Sequence, residues 1–264
     1  MVDFIYNVPS FLLFIVISFI AIGISFFAIK LVHRHVPSKF RYEDNQAIIC
    51  TSALIGIIYA ILIGFTILYE LNNFNKADDA ESAEAKAVFS IFRVARVLPE
   101  PSATKVRGLA VDYIKNVIYH EWPLMEKGKL VDKIGIQMIE NISRELRSFT
   151  NIRAYDAITL EALNTLALNT NNLFDIHEER VSKVHTALTT NIWFVLLLGT
   201  FLTIAINFIL GMEFRFHFIC VASIALMVSA VLYLVITLNH PYRGDFSIQP
   251  STFIATLDYI QLKV

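Results

Sequence analysis

The chain of 264 residues is 56% hydrophobic and 17% charged, whereas soluble domains are about 45–50% apolar and about 25% charged. Its formal net charge of -1 offers no basic surface of the kind that nucleic acid requires, which argues against a nucleic-acid partner. The apolar excess lies in four blocks, so the chain is predicted to be an integral membrane protein in contact with the lipid bilayer.

The first block, at about 9–32, has no charge between Asp3 and Lys30 and is long enough to cross a bilayer. A cleaved signal peptide would have a basic leader, and the leader MVDFIYN contains no Lys or Arg. A retained helix is therefore predicted. Three further uncharged blocks follow, at about 46–70, 191–212 and 216–239.

A long segment of soluble composition separates the second and third blocks. Its apolar residues recur at intervals of three and four, which predicts helices throughout. Because no helix breaker follows the second block until Pro99, we expect the second helix to continue well past the membrane surface. We expect the same, in reverse, of the segment that leads into the third block.

The predicted fold class is an all-α polytopic membrane protein with four transmembrane helices and a helical aqueous domain between the second and the third. The predicted divisions are 1–72 for transmembrane helices 1 and 2, 73–188 for the aqueous domain, 189–240 for transmembrane helices 3 and 4, and 241–264 for a C-terminal tail.

Four spans place both termini and the aqueous domain on one side of the membrane and the loop 33–45 on the other. Basic residues in short loops favour the cytoplasm, which by itself puts the loop 33–45 there and the aqueous domain outside. The basic residues on the loop side are Lys30, Arg34, Lys39, Arg41 and Arg215.

Small residues recur at every fourth position of the second and third predicted helices. In lipid such a face usually serves close helix packing, and the alternative is the lining of a narrow pathway. An Asn at mid-membrane depth needs a hydrogen-bonding partner or water. The helix-packing candidates are Ala60, Gly64, Gly199 and Thr203. The pore-lining candidates are Ser52, Gly56, Tyr59, Ile63, Thr66 and Asn207.

An acidic run, 78–84, follows the second block. It lacks the spacing and the glycine of a calcium loop, so a solvated helix face is the preferred interpretation over a cation site. Further on, His120-Glu121-Trp122 is predicted to be a helix end, with Trp122 packed as an anchor and Pro123 stopping the helix.

Signatures of catalysis are missing from the sequence. It has no P-loop, HExxH, GxSxG or Cys/His metal framework, so no catalytic, cofactor-binding or metal-binding residue is predicted and the chain is not expected to be an enzyme. No acidic or basic residue lies deep in any span, which argues against an ion-coupled pump but not against a channel.

The sequence contains a series of short motifs in a fixed order. They are Asn45, the stretch 56–65 (GIIYAILIGF), Glu84-Ala85, Leu98-Pro99-Glu100-Pro101, Tyr113, Glu121-Trp122-Pro123 and a closing motif at 240–245 (HPYRGD). Together they resemble the bacterial bestrophin-like family over nearly the whole chain. In that family an acidic residue and a Phe flank the proline of the closing motif, whereas this chain has Asn239 and Tyr242 there.

This resemblance implies kinship with bestrophins, which are pentameric anion channels. In those channels the second helix lines the pore and the aqueous domain is cytosolic, opposite to the side that the basic residues favour. The predicted function is therefore an oligomeric channel for small anions in a bacterial inner membrane. The alternative is a non-conducting membrane sensor or scaffold whose helical domain binds a partner. An intramembrane enzyme is disfavoured because catalytic motifs are missing.

Overall fold

The structure is a computed structural model that describes residues 9–36, 44–149, 155–185 and 187–262. The described residues contain helices and no strand, which confirms the all-α class. The α-helices are α1 (Ser10–His35), α2 (Asn45–Val94), α3 (Ser102–Asn116), α4 (Trp122–Glu126), α5 (Ile134–Arg147), α6 (Ala157–Ser182), α7 (Thr190–Ala205), α8 (Phe214–Leu238) and α9 (Ser251–Gln261).

Four helices of the described chain are long and apolar enough to cross a membrane, as the sequence predicts. They are α1, α2 with its 3-10 extension, α7 with its 3-10 extension, and α8. The chain divides into two compact units. The membrane unit comprises Met1–Asn72, Ala187–His240 and Gly244–Phe246, and the polar unit comprises Asn73–Thr186, Pro241–Arg243 and Ser247–Val264.

The second helix continues far beyond its apolar block, which confirms the prediction. It has 50 residues and ends in a 3-10 turn at Ala95–Val97, just before Pro99. Neither Pro nor Gly occurs between 65 and 98, so nothing in this stretch weakens the helix.

The corresponding prediction for the third span is wrong. Helix α6 ends at Ser182 and α7 begins only at Thr190. Thr189 has an extended backbone (φ -63°, ψ 151°), and the N–H of Leu188 donates to the Asn239 side chain at 2.8 Å. The Asn239 amide thus replaces the helical acceptor that a continuous helix would have supplied.

Within the membrane unit, α1 packs chiefly on α8. The buried face of α1 carries three small residues, Ser10, Ser18 and Ser25, which allow the two helices to approach closely. At one end the ring of Phe26 meets those of Phe214 and Phe218 edge-on, at 5.9 and 5.5 Å between centroids. Close packing by small residues therefore occurs on the first span, which the sequence pattern did not single out.

The core of the polar unit is built from the polar part of α2, from α3, α5 and α6, and from α9. Helix α3 is amphipathic, and its buried residues Val106, Ala110, Tyr113 and Ile114 recur at intervals of three and four. This spacing brings Tyr113, a polar residue, onto the same face as the apolar side chains. The polar side chains inside this core form the site described next.

Candidate functional site

A cluster of five polar side chains lies inside the polar unit. Glu84 comes from α2, Tyr113 from α3, Glu121 from the turn after α3, and His177 and Arg180 from α6. None of the five is more than 1% exposed. Charged groups are seldom buried so completely unless they are paired, so the contacts within this cluster decide whether the core is stable.

Arg180 is the centre of the cluster. Its Nε donates to Glu84 Oε2 at 2.6 Å, and its Nη2 donates both to Glu84 Oε1 at 3.1 Å and to Glu121 Oε2. Burial alone would lower the pKa of the guanidinium, but the charges of Glu84 and Glu121 outweigh this and raise the pKa well above its ordinary value. Arg180 therefore remains a cation held between two carboxylates.

Tyr113 links this ion pair to His177. Its hydroxyl donates to Glu84 Oε1 at 2.5 Å, and the same oxygen lies 3.0 Å from His177 Nδ1. Burial, followed by the charge of Glu84, raises the pKa of the phenol well above its ordinary value, so the hydroxyl keeps its proton. Because that one proton goes to the carboxylate, the hydroxyl oxygen must accept from Nδ1–H of His177.

The indole of Trp122 closes one side of the cluster. The Arg180 guanidinium lies 5.6 Å from the ring centroid of Trp122, within cation–π range. The indole Nε1 donates to the carbonyl of Ile248, and the ring packs edge-on against Tyr242 at 5.5 Å. Trp122 is 1% exposed, in agreement with its predicted role as a packed anchor.

A π-helical turn at Val117–Glu121 places Glu121 in the cluster. In this turn the N–H of Trp122 donates to the carbonyl of Val117, five residues earlier. The side-chain amide of Asn116 donates to Glu121 Oε1 at 2.8 Å, which fixes the buried carboxylate. The preceding residue, His120, is exposed, and its Nε2 lies 2.7 Å from Asp132 Oδ2.

The predicted helix stop at Pro123 is wrong. The chain stays helical through Glu126 because Pro123 occupies the first turn of α4, where a missing N–H costs nothing. The helix ends instead at Glu126, and Gly128 just beyond it has φ +63°, a left-handed conformation that favours glycine.

The acidic run 78–84 divides into two pairs with different surroundings. Asp78 and Asp79 are exposed, as predicted for a solvated helix face. The prediction is wrong for Glu81 and Glu84, which are buried. Glu81 accepts from the backbone N–H groups of Thr252 and Phe253 at the start of α9, where a carboxylate is favourable.

Four of the motif fragments thus meet around one arginine: Glu84, Tyr113, the pair Glu121-Trp122, and Tyr242. Arg180 and His177, which join them, were not identified as partners from the sequence because 59 or more positions separate Arg180 from each of its two carboxylates. Among the described residues no group of three His, Cys, Asp or Glu side chains is placed to hold a metal ion. The position between the two carboxylates is taken by the guanidinium.

The second candidate site is the membrane part of α2. Tyr59, Ile63 and Thr66 lie on one face and are 7%, 7% and 9% exposed. The Tyr59 ring lies against Gly199, where an added Cβ would come within 2.3 Å of Cδ2, and the phenol is 2.7 Å from the hydroxyl of Thr200. Gly199 therefore provides the space that the Tyr59 ring occupies.

Asn207 finds its hydrogen-bonding partners within the membrane unit. Its side-chain nitrogen donates to the carbonyl of Thr203 at 2.8 Å, and its side-chain oxygen accepts from Ser52 at 3.1 Å. Asn207 is 6% exposed. These bonds satisfy the amide without water, and they tie α2 to the end of the third span.

Among the described residues, nothing covers the opposite face of α2. Nothing lies within 4 Å of a Cβ built on Gly64, and Ala60 is exposed. Large apolar side chains on this face are between 57% and 69% exposed. They are Leu54, Ile57, Ile58, Ile61, Phe65 and Leu68.

Replacing Arg180 with Met should destabilise the protein by about 3–5 kcal/mol, because two buried carboxylates lose their cation. Arg107→Met, which removes a surface ion pair with Glu100 at 3.7 Å, should destabilise the protein far less than Arg180→Met, because water screens that pair. Denaturant unfolding of the purified full-length protein measures both.

A triple variant tests whether unpaired charge is the cause. Glu84→Gln and Glu121→Gln remove both buried charges, so adding them to Arg180→Met should recover part of the lost stability. A triple variant no more stable than Arg180→Met would contradict the unpaired-charge explanation.

A methyl group at Gly135 would meet this cluster directly. Its Cβ would lie 2.1 Å from Glu121 Oε1 and 2.8 Å from His177 Cε1, so Gly135→Ala should destabilise by about 1–3 kcal/mol. Gly108→Ala is the matched control, because that helical position is open and alanine there should stabilise by about 0.5–1 kcal/mol. Equal melting temperatures for the two variants would contradict this prediction, because they would mean that Glu121 and His177 can move aside for a methyl group without loss of stability.

The chain is similar to known membrane proteins in sequence and in fold. The sequence profile of the Bestrophin-like domain matches residues 18–253, whereas no curated protein matches significantly. The chain is similar to a variant of a bacterial bestrophin homologue from Klebsiella pneumoniae, with a TM-score of 0.71 and 12% identity over 94% of this chain and 99% of that one. A structure described as a membrane protein gives 0.70 and 12% over 95% and 97%. These TM-scores show a shared fold. Because the profile spans most of the sequence, the chain belongs to the bestrophin-like family.

Proposed function

We propose that this protein is an oligomeric ion channel for small anions in a bacterial inner membrane, with several copies of α2 surrounding the path. The observation that carries the proposal is the uncovered apolar face of α2 in a chain with the bestrophin-like fold. One helix cannot enclose a path, so this face needs further copies of the chain around an axis. Anion preference rests on the family alone.

Burial divides the predicted pore-lining residues into two groups. Tyr59, Ile63, Thr66 and Asn207 are at most 9% exposed within one subunit, so we assign them to holding α2 in position. Ser52 and Gly56 are only partly covered, and they remain pore candidates together with the exposed face of α2. Ala60 is exposed, and no described residue lies within 4 Å of a Cβ built on Gly64, so we infer that their packing partners come from another subunit.

An apolar path fits the composition of this span. No charged residue occurs between 46 and 69. Such a constriction conducts ions when water fills it, and polar groups that stabilise water there raise conduction. The selectivity of the path would then come from hydroxyls, backbone dipoles and charges at its ends rather than from ionised groups inside it.

Two isoleucines of α2 test which face lines the path. Ile61 is 57% exposed and Ile63 is 7% exposed, so Ile61→Ser should raise anion efflux from liposomes several-fold over the unmodified protein, because it hydrates the constriction. Ile63→Ser should leave efflux unchanged or lower it through loss of packing. Phe65→Ser, on the exposed face, should act like Ile61→Ser.

If Ile63→Ser raises efflux and Ile61→Ser does not, the face of α2 that carries Tyr59 and Ile63 lines the path instead. If the protein and every variant pass neither anions nor cations above empty liposomes, the channel proposal fails. The sensor or scaffold would then be the better hypothesis.

The proposed topology puts the polar unit and both termini on one side of the membrane. Cys50 and Cys220 are first replaced by serine, and single cysteines are then placed at Ser102, Ser251 or Ser38, the last of which lies outside the described residues. An impermeant thiol reagent should label Ser102→Cys and Ser251→Cys from the same side of oriented vesicles, and Ser38→Cys from the other. Labelling of Ser38→Cys and Ser102→Cys from one side would exclude four spans in this arrangement.

A further inference from the structure

An apolar groove of about 260 Å³ lies between α2 and α7 in the membrane unit. Tyr59 and Gly199, which pack on each other, are part of its lining. Three of its other lining side chains, Ile58, Leu198 and Leu202, are between 42% and 68% exposed, so the groove is open on one side. Its walls are formed by Ile55, Ile58 and Leu62 of α2 and by Val195, Leu198 and Leu202 of α7.

The other side of α2 carries a row of small residues, Ala53, Ala60 and Gly64, which we call the small flank. Ala53 and Ala60 are exposed, and no described residue lies within 4 Å of a Cβ built on Gly64. Each residue of an α-helix is turned by about 100° from the one before it, so Ala60 is turned by about 200° from both Ile58 and Leu62. The small flank and the groove therefore lie on opposite sides of the same helix.

The membrane restricts how two copies of the chain can meet. Copies that cross it in the same orientation are related by rotation about an axis along the membrane normal, so a residue meets residues of its own depth in the next copy. The α2 wall of the groove spans 55–62 and the small flank spans 53–64. The two surfaces therefore lie at the same depth and can meet.

We propose that the small flank of α2 in one copy packs into the groove between α2 and α7 of the next copy. Small residues let helix backbones approach closely in lipid, which allows α2 of one copy to enter a groove formed by two helices of another. The contact joins two different surfaces, and such contacts close into rings when the rotation allows. This inference rests on the oligomer of the proposed function, but not on ion conduction.

Two small flanks could instead pack on each other, which is the competing arrangement. The same surface would then be used by both copies, and such a contact gives a closed dimer. Two copies of α2 packed on each other leave the groove without a protein partner and cannot surround a path. A lipid chain in the groove is the other alternative, and it would leave the small flank without a helix to pack on.

Cysteine cross-linking distinguishes these arrangements. Cys50 and Cys220 are replaced by serine, and Ala60→Cys and Leu198→Cys are combined in one full-length chain. Because Tyr59 contacts Gly199, their neighbours Ala60 and Leu198 lie at one depth. Two cysteines form a disulfide only when their Cα atoms lie within about 7 Å, and Ala60 faces away from the groove of its own chain. Oxidation in membranes should therefore give a ladder of covalent multimers, and each single-cysteine variant should remain monomeric.

Ala60→Cys combined with Phe19→Cys is the matched control. Phe19 on α1 is 79% exposed, but it lies outside the proposed contact, so this pair should give no ladder. A dimer from Ala60→Cys alone would show that two small flanks meet. No multimers from Ala60→Cys with Leu198→Cys would show that no second copy enters the groove. Either result overturns the proposal.

The mass of the detergent-solubilised particle gives a second test. A leucine at Gly64 has room in a single copy but would hold the next copy away, so Gly64→Leu should weaken assembly about tenfold. Gly23→Leu on α1 is the control, since no described residue lies within 4 Å of a Cβ built there either, and it should assemble normally. Equal assembly of the two variants would refute the contact.

Cross-linking and efflux separate this inference from the channel proposal. A cross-linked ring that passes no ions contradicts the channel and supports the contact. A protein that conducts ions but gives no ladder contradicts the contact and leaves the channel proposal in place.

Discussion

The packing of the polar unit depends on the burial of one guanidinium. Moving a charged group from water into a protein interior costs several kcal/mol of free energy unless partners replace the lost hydration. Arg180 has these partners in Glu84 and Glu121, and the ring of Trp122 lies within cation–π range. Each partner comes from a different element, so α2, α4, the π turn and α6 must all be in place before the charge is satisfied.

The π turn allows this arrangement within an otherwise regular helix. One extra residue in the turn lets Glu121 face inward while its neighbour His120 faces solvent and meets Asp132. Gly135 supplies the remaining space, because any side chain there would occupy the position of the Glu121 carboxylate. The spacing of Glu84, Tyr113 and Glu121-Trp122 in the sequence is thus explained by a shared partner that lies far from them along the chain.

The four spans could be predicted from the sequence because a long uncharged run needs no tertiary information to be recognised. The predicted block at 46–70 and the helix from Asn45 agree for this reason. The rotation of the spans could not be predicted in the same way. An apolar helix in lipid has no polar face to point outward, so the fit of Tyr59 against Gly199 decides which residues are covered.

The same limitation explains the errors in the polar unit. A run of four acids on a helix is typical of a solvated face, and only the positions of Arg180 and of the start of α9 show why Glu84 and Glu81 are buried. The continuous helix expected before α7 failed because the acceptor for Leu188, the side chain of Asn239, lies 51 positions away along the chain. The stop expected at Pro123 failed for a local reason, because a proline is tolerated in the first turn of a helix.

Helix α2 is held in each unit by a different kind of interaction. In the membrane unit it is held by the shape of Gly199 and the hydroxyl of Thr200, and in the polar unit by the charge of Arg180 on Glu84. Each unit therefore fixes, by itself, the face of α2 that it buries. In the membrane unit the fit of a ring against a glycine decides this face, and in the polar unit the pairing of a buried carboxylate with a guanidinium decides it.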